Sequence, residues 1–73
     1  MAKYRVGQTL NYIGVSDIIK EWFENGNYNV MDILPDKTPI SNGETNNSGE
    51  PIYRIKVGSV IMLFRESELA EKE

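Results

Sequence analysis

The sequence predicts a mainly β domain of about five short strands, with one helical turn between the first two. Three observations carry this. Residues 52–57 (IYRIKV) alternate apolar and charged side chains, and residues 3–12 alternate in the same way. A period of two marks a strand with one buried face. Between these segments, Ile18, Ile19, Trp22 and Phe23 recur at a helical spacing instead. The 73 residues suffice for one domain over 1–73, and a chain of that size buries only about 60–65% of its unfolded surface. It contains no Cys and no His, so neither a disulfide nor a zinc site reinforces the thin core. Every large apolar side chain is therefore expected to serve that core.

In residues 3–12, Tyr4, Val6, Leu10 and Tyr12 share one parity, and Lys3, Arg5, Thr9 and Asn11 share the other. The expected first strand covers this segment, with a bulge or bend at Gly7. Ile13-Gly14-Val15 break the alternation. Ser16 then suits a helix N-cap, Asp17 the positive end of the helix dipole, and Asn25-Gly26 a terminator. Asn25-Gly26 is also a strong hairpin turn, which would make 18–23 a strand. The stripe does not alternate, so a helix is the expected form. A helix this short needs a sheet to dock on, which predicts Ile18, Ile19, Trp22 and Phe23 as core.

Residues 27–34 (NYNVMDIL) are rich in β-formers on both parities. Either both faces are partly buried, or a bulge near Val30 shifts the phase. Pro35-Asp36 ends that strand. Residues 35–51 (PDKTPISNGETNNSGEP) hold Ile40 as their only large apolar residue, which predicts a long polar loop, mobile and unpacked. Residues 52–57, Gly58-Ser59 and 60–65 (VIMLFR) form a hairpin. Its second strand is apolar on both parities, which predicts a central strand covered on both sides. Glu66 to Leu69 reads as a short turn that returns Leu69 to the core, and 70–73 as a frayed tail.

The Val6-Gly7 pair, the run Gly26-x-Tyr28-x-Val30-x-Asp32, the Tyr53–Ile55 triplet and the closing Arg65–Leu69 (RESEL) together resemble the small SH3-like β-barrels of bacterial and phage proteins. The resemblance covers nearly the whole chain. It implies a barrel whose last strand runs into a charged turn ending in Leu. It also points to a phage or mobile-element accessory protein. It carries no catalytic residue, and folds of this kind host unrelated functions. The paired-tyrosine segment of eukaryotic peptide-binding SH3 domains is absent, which speaks against recognition of Pro-rich peptides.

The residue types present exclude much chemistry. Without His or Cys there is no Ser-His-Asp triad, thiol nucleophile or His-based metal site. No D-x-D-x-D-G loop would hold calcium, and no G-K-[ST] follows Gly43, Gly49 or Gly58. A carboxylate pair for glycoside hydrolysis would need a deep cleft, which a chain this short does not offer. Neither an enzyme nor a bound cofactor or metal is expected. The longest apolar run, Val60 to Phe64, falls far short of the roughly 20 residues of a membrane span. Met1 to Gly7 lacks a secretory signal, and Asn46-Asn47-Ser48 would be glycosylated only in a secreted chain. A cytoplasmic location is expected.

Two binding functions remain. The net charge is −3, yet it is unevenly spread. Asp17, Glu21, Glu24, Asp32 and Asp36 are answered locally by Lys20 alone, and the tail from Glu66 is acidic as well. Such a surface suits a basic protein partner. Glu21, Trp22 and Glu24 are the candidate contact residues, with Trp22 the anchor if its ring is exposed. The second reading is weak nucleic-acid binding through a basic strand face. Lys3, Arg5, Arg54, Lys56 and Arg65 would supply the charge, and Tyr12 or Tyr53 a stacking surface. A small non-enzymatic module that binds a protein is the leading expectation.

Overall fold

The computed structural model describes residues 2–72. Along the chain run β1 (Thr9–Tyr12), α1 (Asp17–Asn25), β2 (Tyr28–Leu34), β3 (Pro39–Ser41), β4 (Glu44–Thr45), β5 (Ile52–Val57) and β6 (Val60–Arg65). A 3₁₀ turn (Glu66–Glu68) then leads into β7 (Leu69–Glu71). Five strands form one antiparallel sheet in the order β6-β5-β2-β1-β7, and β3 pairs with β4 alone. The mainly β expectation holds: among the described residues five strands share the main sheet, β3 and β4 add a separate hairpin, and the helix between β1 and β2 runs over nine residues. No hydrogen-bonded ladder closes the sheet into a barrel among the described residues; β6 and β7 are its edges.

The sheet nevertheless curls strongly. Tyr12 on β1 and Phe64 on β6 are separated by two strands, yet their ring centroids lie 5.6 Å apart. Inside the curl lie Leu10, Tyr12, Val30, Tyr53, Ile55, Val57, Phe64 and Leu69. The alternation that predicts β5 thus holds residue by residue: Tyr53, Ile55 and Val57 are buried, while Arg54 and Lys56 face away from the core. The β5–β6 hairpin closes on Gly58, whose φ of +66° belongs to the left-handed region. Gly at the first central position of a two-residue turn matches the twist of the flanking strands.

α1 forms where its cap predicts. Ser16 Oγ accepts from the Ile19 N–H at 3.4 Å. Phe23 is fully buried, with its ring against Tyr28 (5.1 Å) and Phe64 (5.5 Å). Burying such a side chain contributes about 2–3 kcal/mol. Gly14, just before the helix, is required by close approach: a Cβ there would overlap the Tyr12 hydroxyl and ring.

Several expectations fail, each for a physical reason. The first strand covers only Thr9–Tyr12. Arg5 to Gln8 instead make a turn, held by Gln8 N–H to Arg5 O (3.1 Å) and Arg5 N–H to Gln8 Oε1 (3.1 Å). Gly7 has φ +89°, and Val6 is exposed. In β2 the bulge reading is the one observed: the register with β5 shifts between Val30 and Asp32. The apolar strand β6 lies at an edge, not inside the sheet, and Ile61 and Leu63 face away from the core.

The 35–51 segment is not an unpacked loop. It contains the β3–β4 hairpin and is tied down by Asn46, which is only 1% exposed. Asn46 Nδ2 donates to Leu34 O (2.9 Å) and Glu50 O (2.8 Å), and Oδ1 accepts from the Ser48 N–H and hydroxyl. All four side-chain positions of the amide are used. With Nδ2 buried and doubly bonded, the sequon is closed to glycosylation in the folded chain.

The expected frayed tail at 70–73 is likewise ordered as far as it is described, Glu73 lying outside the described residues. Leu69, Ala70 and Glu71 pair with β1. Lys72 Nζ donates to Phe23 O (2.7 Å) and Gly26 O (2.8 Å). It thus brings a cation to the C-terminal end of α1, whose own last turn has none.

Candidate functional site

α1 presents two different faces because its four apolar residues cover a wider arc than the sheet can bury. Ile19 and Phe23 point at the core. Ile18 and Trp22 lie one turn apart on the neighbouring shoulder, 63% and 43% exposed. This corrects the expectation that both are core. Val15 and Ile13, in the connection leading to the helix, are exposed as well. Beyond that shoulder the crest of α1 carries Asp17, Glu21 and Glu24, all exposed. Lys20, half-buried, is the only cation on the helix. Trp22 and Ile18 thus leave an apolar shoulder bordered by carboxylates on the outer side of α1.

The five cations of the alternative reading do not form one unpaired face. Arg54, Lys56 and Arg65 occupy outward positions on β5 and β6. Arg54 Nη1 is 3.2 Å from Asp32 Oδ2, and Arg65 Nε is 3.9 Å from Glu68 Oε1. Lys3 and Arg5 belong to the N-terminal turn rather than to a strand. There they line an open depression of about 300 Å³ together with Ala2, Tyr4, Gln8 and Glu71. Tyr12 and Tyr53 are both buried, so neither offers a ring for base stacking.

The hydrogen-bonded cluster around Tyr53 and Glu66 joins separate parts of the chain. Glu66 Oε2 accepts from the Tyr53 hydroxyl (2.7 Å) and the Lys3 N–H (2.9 Å), and the Tyr4 N–H donates to Tyr53 Oη (3.1 Å). Burial, with the hydrogen bond to and charge of Glu66, pushes the Tyr53 hydroxyl from 10.0 up to about 12, against the Tyr4 amide. Burial alone would raise the Glu66 carboxyl. The Lys3 amide, the Tyr53 hydroxyl and the Lys3 charge outweigh it and hold the group below its ordinary 4.5. Tyr53 is closed to solvent, and the pair joins the N-terminal turn to β5 and the 3₁₀ turn.

Among the described residues, no group of three or more acidic side chains could hold a metal ion, and no helix is long and apolar enough to cross a membrane. No family model, curated protein or solved structure matches the chain.

Sequence reasoning missed the open edge of β6. A run apolar on both parities reads as a doubly covered strand, and nothing in VIMLFR distinguishes that from an edge with one bare face. It also missed Asn46, which in sequence is one polar residue among many.

Proposed function

We propose that the chain is a small non-enzymatic interaction module of SH3-like type that captures a basic, partly apolar segment of another protein on the outer face of α1. The observation that carries the reading is the exposure of Trp22. A thin core gains most from burying its only tryptophan, yet here the ring stands 43% exposed beside Ile18, next to an acidic crest. Apolar contact with Trp22 and Ile18 would supply affinity, and Asp17, Glu21 and Glu24 would select positive charge. The SH3-like part is supported by the strand order, the curl of the sheet and the charged turn delivering Leu69 to the core. Nucleic-acid binding has less support, since Arg54 and Arg65 face carboxylates and no exposed ring lies among the basic residues.

Titration calorimetry with a synthetic peptide of alternating Lys and Leu tests the reading. The wild type should bind saturably, more weakly as salt rises. Trp22→Ala and the pair Glu21→Lys with Glu24→Lys should each weaken binding at least tenfold while the far-UV spectrum stays unchanged. Because its ring is half exposed, Trp22→Ala should cost much less than the roughly 3–5 kcal/mol of a buried Trp. Equal affinity of all three proteins would overturn the proposal. Salt-sensitive retention of a single-stranded oligonucleotide, lost with Arg54→Ser and Lys56→Ser, would favour the second reading.

A further inference from the structure

We infer that β6 is a self-pairing edge: two copies of this chain join antiparallel along Val60–Arg65, about a twofold axis at Met62. The inference does not rest on the α1 reading. In an antiparallel ladder every second residue of an edge strand turns its N–H and C=O away from its partner, and β6 has β5 on one side only. Natural edges are blunted by shortness, Pro, bulges or inward charges. The opposite edge, β7, has only three residues. β6 pairs with β5 without a register break over six consecutive residues, and it has no Pro, no Gly and no charge before Arg65. Three large exposed apolar residues lie on this one strand: Val60 (59%), Ile61 (51%) and Leu63 (43%).

The hydrophobic pattern selects a second copy as the occupant and also sets its register. A twofold axis perpendicular to the sheet keeps each side chain on its own face. Centring the axis on Met62 places Ile61 opposite the partner's Leu63, and Val60 opposite the partner's Phe64. Met62 then lies beside the partner's Met62, and Arg65 falls opposite the partner's Ser59. Centring it on Ile61 or Leu63 instead sets an apolar residue against Ser59 or Arg65. On the outward face Lys56 is paired with Ile61, and Arg54 with Leu63. Each dimer row therefore runs from Lys56 through Ile61 and the partner's Leu63 to the partner's Arg54. The aliphatics meet in the middle, and the cations stay at the outer ends, apart from one another. A standard interface takes about 800 Å² per partner, about a sixth of this protein's 4870 Å² surface. One six-residue edge covers less, so the dimer is weak and depends on concentration.

Sedimentation equilibrium on the full chain, joined to cysteine cross-linking, tests this. The native chain has no Cys, so any introduced thiol reports alone. Wild type should shift from monomer to dimer as concentration rises, and Ile61→Lys with Leu63→Lys should weaken that association at least tenfold while remaining folded. Under mild oxidation Met62→Cys should form a disulfide dimer, since directly opposed Cα atoms lie within about 4.5–5.5 Å. Ser59→Cys should not, its two copies being roughly 20 Å apart in this register. A mixture of Ile61→Cys and Leu63→Cys chains should cross-link between variants. A wild type that stays monomeric at every concentration would overturn the inference. So would a lysine variant that associates as wild type does, or Ser59→Cys cross-linking as fast as Met62→Cys.

Discussion

The Tyr53 hydroxyl donates to Glu66 Oε2 across 2.7 Å while accepting the Tyr4 N–H at 3.1 Å. One phenol on β5 thus holds the N-terminal turn, and through Glu66 it also holds the 3₁₀ turn that aims β7. Glu66 completes the join by accepting the Lys3 N–H. The N-terminal turn and the 3₁₀ turn therefore meet at a buried ring on β5.

Tyr53→Phe keeps the packed ring and removes the hydroxyl. It strands the Tyr4 N–H and takes one donor from Glu66, so destabilisation of about 1–3 kcal/mol is expected. Urea unfolding with an unchanged m-value measures it. A cost near zero would show that water replaces the hydroxyl.

The same pair sets a pH dependence. Glu66 titrates below its ordinary 4.5 in the folded chain, so its contribution is fully present above that pH and lost as the pH falls through the folded value. Tyr53 titrates near 12 against 10.0 when unfolded, so its contribution is full below pH 10.0 and lost as the pH rises toward about 12. Melting curves should show both limbs in the wild type. Glu66→Gln should flatten the acid limb, and Tyr53→Phe the alkaline one.

Asn46→Ala leaves Leu34 O without its buried donor and takes from Glu50 O one of two donors, the other being the Ser48 hydroxyl. A loss of about 2–3 kcal/mol is expected. The amides of Lys37 and Asn46, which bond across the base of the β3–β4 hairpin, should exchange with solvent much faster. Unchanged exchange would mean that the hairpin holds itself.

Lys72→Met keeps the aliphatic stem and removes the ammonium from Phe23 O and Gly26 O. The expected cost is about 1 kcal/mol, with faster amide exchange confined to the last turn of α1. Loss of protection spread evenly over the whole chain would contradict the capping role.

The sequence by itself determined what depends on near neighbours. The alternation of Tyr53, Ile55 and Val57 with Arg54 and Lys56 gave β5 and its faces, because a strand's period is a property of consecutive residues. Gly58-Ser59 gave the hairpin, and Ser16 gave the start of α1. The tertiary structure alone decided what covers each face. Trp22 and Ile18 share the apolar stripe with Ile19 and Phe23, but a sheet of five short strands masks only part of that arc. β6 has the composition of an interior strand and an edge position, because its place depends on which strands pair, not on its own pattern. Lys72 reaches Phe23 O across 49 positions of sequence, and Asn46 spans 12 to Leu34 O. Single polar contacts at such range leave no periodicity to read, so a segment that looked like a loose tail and another that looked like a loose loop are both fastened.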